Sequence, residues 1–193
     1  MREAAWMLTF LYLWYAFLKD GKMETDPGKL SRKRRGTEAM EQQQEKMTDR
    51  IDELLEQPCW VVDLLPEQVP ADSPGQFFAV EEYYLKPPQM AVLHRKFAEI
   101  LLKLNCYFDF SLGAAAGDEW VRNPEPEMLV SALCNEKDIW TLCVYFEAEN
   151  ALIYINCDDI CFTVYHPTER LLNLIRKLAG AEGLFVRKAG APA

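Results

Sequence analysis

The run from Met128 to His166 constrains this chain more than any other stretch. Val, Ile, Tyr, Phe, Trp and Thr are dense in it, and only short polar breaks interrupt it, which is a signature of successive strands. Segments 128–134, 139–146, 152–156 and 161–166 are therefore expected to be strands. Breaks this short permit hairpins and not crossovers, so neighbouring strands should run antiparallel. Strand 139–146 has Trp140, Leu142, Val144 and Phe146 on one side and a mixed set, Ile139, Thr141, Cys143, Tyr145 and the following Glu147, on the other. That alternation suits a sheet with helices on its apolar face.

The remaining elements follow from periodicity and breakers. Thr48 opens a short helix with Ile51, Leu54 and Leu55 on one face. Cys59–Leu64 reads as a strand, 66–76 as a proline-rich loop, and the aromatic run 77–85 as a second strand. Pro87-Pro88 opens the longest helix, with Met90, Leu93, Phe97, Ile100, Leu101 and Leu104 as its apolar stripe and Asn105 as a left-handed stop. Residues 106–112 read as a strand, and 113–127 as a long loop outside the sheet. Pro167-Thr168 opens a last helix, ended by Gly180, and 183–188 adds a short edge strand. The expected fold class is α+β: an antiparallel meander sheet of five to seven strands with two main helices packed on one face.

Residues 1–46 differ in kind. Ala4–Leu18 is an uncharged apolar run, shorter than the roughly 20 residues a spanning helix needs. A polar segment with a basic cluster at Lys29–Arg35 follows, and its composition cannot bury a core. Residues 1–46 are expected to be a disordered extension, or to precede a later translation start at Met47. A membrane anchor at 4–18, or a nucleic-acid or headgroup patch at the basic cluster, are the competing readings. Residues 47–193 are expected to form a single domain, long enough to bury roughly two-thirds of its unfolded surface.

Charge narrows the function classes. Residues 47–193 carry 12 basic against 23 acidic residues, a net of −11. Such a surface repels phosphate backbones and suits a basic protein partner. Six cysteines sit without a Cys-x-x-Cys pair, mostly inside apolar runs, a usage that fits reduced thiols in the cytoplasm. No phosphate loop, dinucleotide fingerprint, nucleophile elbow or zincin helix occurs, and no cofactor is expected.

The candidates for chemistry are few. His94 reads as a structural histidine inside the long helix. Cys157 and Cys161 flank Asp158 and Asp159 in a tight cluster, but structural zinc wants a second ligand pair and none is present, so no metal is expected. His166 could serve as a base for Cys143, Cys157 or Cys161. The long loop offers Asp118, Glu119, Glu125 and Glu127 around Trp120, an aromatic among carboxylates that fits a binding hot spot. The sequence thus points to a small acidic cytoplasmic protein that binds another protein, of inhibitor, immunity or adaptor type. The alternative is an enzyme using a Cys/His pair or the loop carboxylates. Partner identity and oligomeric state are not encoded in any motif.

Overall fold

The computed structural model describes residues 47–114, 120–134 and 141–189. The expectations for residues 1–46, including the apolar run 4–18, lie outside these residues, as do Asp118, Glu119 and 135–140. In order, the described elements are α1 (47–55), β1 (Cys59–Asp63), α2 (Phe77–Tyr84), α3 (Gln89–Asn105), β2 (Ser111–Ala114), β3 (Trp120–Arg122), α4 (Pro126–Cys134), β4 (Thr141–Phe146), β5 (Ala151–Asn156), β6 (Phe162–Tyr165), α5 (Glu169–Ala181) and β7 (Phe185–Lys188). The fold is α+β. Its seven strands form one sheet in the order β3-β2-β4-β5-β6-β1-β7, with every pair antiparallel.

The meander β4-β5-β6 is the centre of that sheet, as the strand-rich run implied. Two helical crossovers extend it. The path β3-α4-β4 straddles β2, and β6-α5-β7 straddles β1, so each helix joins parallel strands that have one antiparallel strand between them. Alternation along the strands then separates two cores. Leu142, Val144 and Phe146 of β4 and Ile153 and Ile155 of β5 pack with the apolar stripes of α3, α4 and α5. Their neighbours Cys143, Tyr145 and Leu152 pack with Ile51 and Leu54 of α1. On the side of β4 expected to be mixed, Cys143 and Tyr145 are therefore also buried, because α1 covers them. The main core includes Phe97 set edge-on to Phe162 at 5.0 Å, and each such fully buried side chain contributes roughly 1.5–3 kcal/mol.

Several expected elements differ from the observed ones. Segment 128–134 is helical, not a strand. Pro126 occupies the first helical position, and Leu129 and Leu133, four apart, point into the core at 1% and 2% exposure. Segment 77–85 is also helical: Phe77, Glu81 and Tyr84, spaced four and three apart, are its half-buried positions. Residues 106–108 do not extend, because their amides bond back to the Lys103 and Leu104 carbonyls and unwind α3. Only Ser111 onward joins the sheet. The region 113–127 is not one loop outside the sheet, since it supplies the end of β2, all of β3 and the start of α4.

The helix ends differ too. Asn105 is helical and Cys106 is the right-handed cap, so Asn105 is no left-handed stop. The last helix runs through Gly180. It is closed by Gly183 at φ 72°, after which the Leu184 amide reaches back to the Ala179 carbonyl at 2.8 Å. Its start is as expected, with Thr168 accepting the Leu171 amide. The edge strand near the C-terminus is present as β7, paired with β1.

Candidate functional site

One corner of the sheet is open where β1 ends and β6 and β7 begin. There Asp63, the last residue of β1, is buried at 6% exposure. A buried carboxylate needs a partner, and Arg187 of β7 donates to it from Nη2 at 2.8 Å. The other Asp63 oxygen accepts the Leu65 amide at 3.0 Å, turning the chain out of the sheet into loop 64–76. That loop returns to α2, and the β5–β6 turn closes the other side with Asp159, Ile160 and Cys161. The cleft between them has a volume of about 430 Å³. Phe77 and Phe78 line it, their rings edge to face at 5.4 Å.

The electrostatics of the pocket are acidic. Glu67, Glu81 and Asp159 line it in addition to the Asp63–Arg187 pair. Burial pushes the Asp159 carboxyl above its ordinary range, and neighbouring Asp63 and Asp158 push it further, against hydrogen bonds from the Ile160 amide and Cys161. Burial likewise raises the Cys161 thiol to about 12, with Asp159, Asp63 and Glu81 adding and Arg187 opposing. At neutral pH that sulfur stays protonated, and a protonated thiol is a poor nucleophile.

α2 itself is unusual. Six of the eight residues in FFAVEEYY are apolar or aromatic, yet none of the eight is buried. Phe77 and Tyr84 reach the core, while Phe78, Val80 and Tyr83 stand out at 80%, 45% and 55% exposure. An amphipathic helix turns a polar face to water; this one turns an apolar face to it.

The residues singled out from sequence do not converge. Cys161 and His166 lie at opposite ends of β6, roughly 16 Å apart at the usual strand rise. Cys143 is two strands across and three residues along from His166, roughly 14 Å by the same geometry. Its thiol is buried and raised to about 12. His166 adopts φ 50° at the strand end, where Nδ1 lies 3.0 Å from the Asn150 carbonyl and the amide donates to Pro58. His94 is buried on α3 beside Phe97. The Cys157–Cys161 segment is a turn organised by Asn156, whose side chain accepts the Asp158 amide. Among the described residues, no three His, Cys, Asp or Glu side chains converge as metal ligands, and no helix is long and apolar enough to cross a membrane.

Trp120 is drawn into the sheet. It pairs with Gly113 in the β2–β3 ladder, and its ring covers that glycine so closely that a Cβ there would lie 2.7 Å from a ring atom. The ring packs against the α1-side core and is half-buried. Glu125 and Glu127 are exposed at the start of α4. Sequence reasoning missed Phe78 and Glu81 because their segment read as a strand. The signal was the four-and-three spacing of Phe77, Glu81 and Tyr84, with apolar residues left over on every other side.

No family model matches the chain, and neither a curated protein nor a solved structure matches it.

Proposed function

We propose that this protein works by binding a basic protein partner through the outward face of α2. The observation that carries this reading is a helix of mostly apolar residues whose Phe78, Val80 and Tyr83 stand out into solvent. Exposed aromatics grouped on one element mark interaction surfaces in soluble domains. The acidity of residues 47–193, a net of −11, sets the sign of the partner. It disfavours a second copy of the same chain and an anionic membrane, and it speeds association with a cationic surface. The raised thiols and the distance between Cys161 and His166 favour binding over nucleophilic chemistry.

A photo-crosslinking side chain at position 78 of the full chain tests the reading, with position 121, an exposed site on β3, as the control. A defined adduct should form from 78 and not from 121. With the captured protein in hand, Phe78→Asp should weaken the complex by about 2 kcal/mol, as loss of a central aromatic does. Wild-type affinity in Phe78→Asp would sink the proposal.

A further inference from the structure

The pocket behind α2 carries more negative charge than its own cation can offset. Asp63 and Arg187 neutralise one another at 2.8 Å. That leaves Glu67, Glu81 and Asp159, none of which has an ion-pair partner among the described residues. The lining beside them is apolar and aromatic, with Val69, Phe77 and Phe78 among it. A long cationic side chain has the matching form, since its aliphatic stem lies well on apolar surface while its head seeks carboxylates and ring faces. A volume of about 430 Å³ accommodates one such chain, being within the range of small-ligand clefts.

We infer that this pocket receives a lysine or arginine side chain of the partner that docks on α2. The inference rests on the docking reading of α2 and adds the chemistry of the partner's anchor. Phe78 belongs to both parts, at 80% exposure on the helix and in the lining of the pocket. An aromatic contact on the helix and a buried cation one side chain away would set the register of the partner. An anionic anchor is disfavoured by the three unmatched carboxylates. A cation entering would also ease the like-charge repulsion between Asp159 and Asp63.

The test is an amide NMR titration of the full chain with three short probes: acetyl-Leu-Lys-Leu amide and its Gln and Glu counterparts. The lysine probe should shift the Asp159, Ile160 and Arg187 signals saturably. The Gln probe should bind about ten-fold more weakly, the factor that 1.4 kcal/mol represents, and the Glu probe more weakly still. The pair Glu81→Gln/Asp159→Asn should reduce the lysine probe to the level of the Gln probe, while unchanged β4 and β5 signals report an intact fold. Equal binding of the Lys and Gln probes, or no saturable shift at those signals, overturns the inference. The two readings fail separately. If Phe78→Asp weakens capture of the partner but the charge pair leaves the probes unchanged, the docking face stands and the cation pocket falls. If the charge pair acts on the lysine probe but Phe78→Asp leaves partner capture intact, the pocket stands and the docking face falls.

Discussion

At Gly113 the side chain is missing because Trp120 occupies its place. The two are cross-strand partners, and the ring lies over the bare backbone where a Cβ would meet it at 2.7–2.9 Å. Gly113→Ala should therefore push the ring aside and destabilise the fold by about 1–3 kcal/mol, the range for overpacking. Trp120→Ala should cost about 2 kcal/mol or more, because the ring packs on the α1-side core. The two effects should be strongly non-additive, since the three atoms that the methyl meets most closely all belong to the ring. Thermal unfolding of the two single variants and the double checks this; simple additivity would show that ring and glycine do not share a site. Asp159 offers a second measurement. Its carboxyl is raised by burial first and then by Asp63 and Asp158, with Cys161, Arg187 and Glu81 also facing the turn. A raised folded-state value means that ionising the group costs stability once pH exceeds its ordinary value of 3.8, and that below this value the cost is absent. Asp159→Asn should then be more stable than wild type near neutrality, and the gain should vanish as pH falls toward 3.8. A gain that persists at low pH would place its origin elsewhere.

Among elements, the central meander and the two long helices were legible and the short apolar helices were not, for one physical reason. β4, β5 and β6 carry β-branched and aromatic residues between clear polar breaks, and α5 announces itself through Pro167-Thr168. Segments 77–85 and 128–134 are short apolar runs, for which periodicity alone cannot separate a strand from a helix. Tertiary packing decided both. α4 turns Leu129 and Leu133 inward with a proline at its first position, and α2 turns only Phe77, Glu81 and Tyr84 inward. The candidate site was illegible as a consequence. It joins the end of β1, the start of β7, a turn weighed as a metal ligand and a helix read as a strand, and no local pattern links those four pieces. Where the cap was legible, its energy is testable. Thr168 accepts the Leu171 amide and donates its hydroxyl to the Glu149 carboxylate, tying α5 to the β4–β5 turn. Thr168→Ala should cost about 1 kcal/mol, the usual value of an N-cap. Thr168→Ser should recover most of it, and a loss in both variants alike would assign the effect to the methyl group.

Taken whole, the molecule has a sheet whose two faces are covered by different parts of the chain, and that sets where it can be cut. The α3–α4–α5 side buries most of the apolar residues, and among the described residues α1 is the helix on the other side, where Ile51 and Leu54 cover Cys143, Tyr145 and Leu152. The composition break before Met47 suggests that residues 1–46 are dispensable for folding, whereas the second core makes α1 indispensable. Two truncations distinguish these statements. A chain of residues 47–193 should be soluble, unfold in one cooperative transition and melt within a few degrees of the full chain. A chain beginning at Pro58 loses Ile51 and Leu54, each worth about 1.5–3 kcal/mol when fully buried, and also uncovers the sheet face beneath them. A loss of about 3–6 kcal/mol is a large share of the 5–15 kcal/mol typical of a folded domain. The shorter chain should therefore aggregate or lose its cooperative transition. If residues 47–193 fail to fold, the N-terminal segment contributes to the core and the boundary at Met47 is wrong. If the chain from Pro58 melts like the longer one, α1 is an ornament on the sheet and not the cover of its second face.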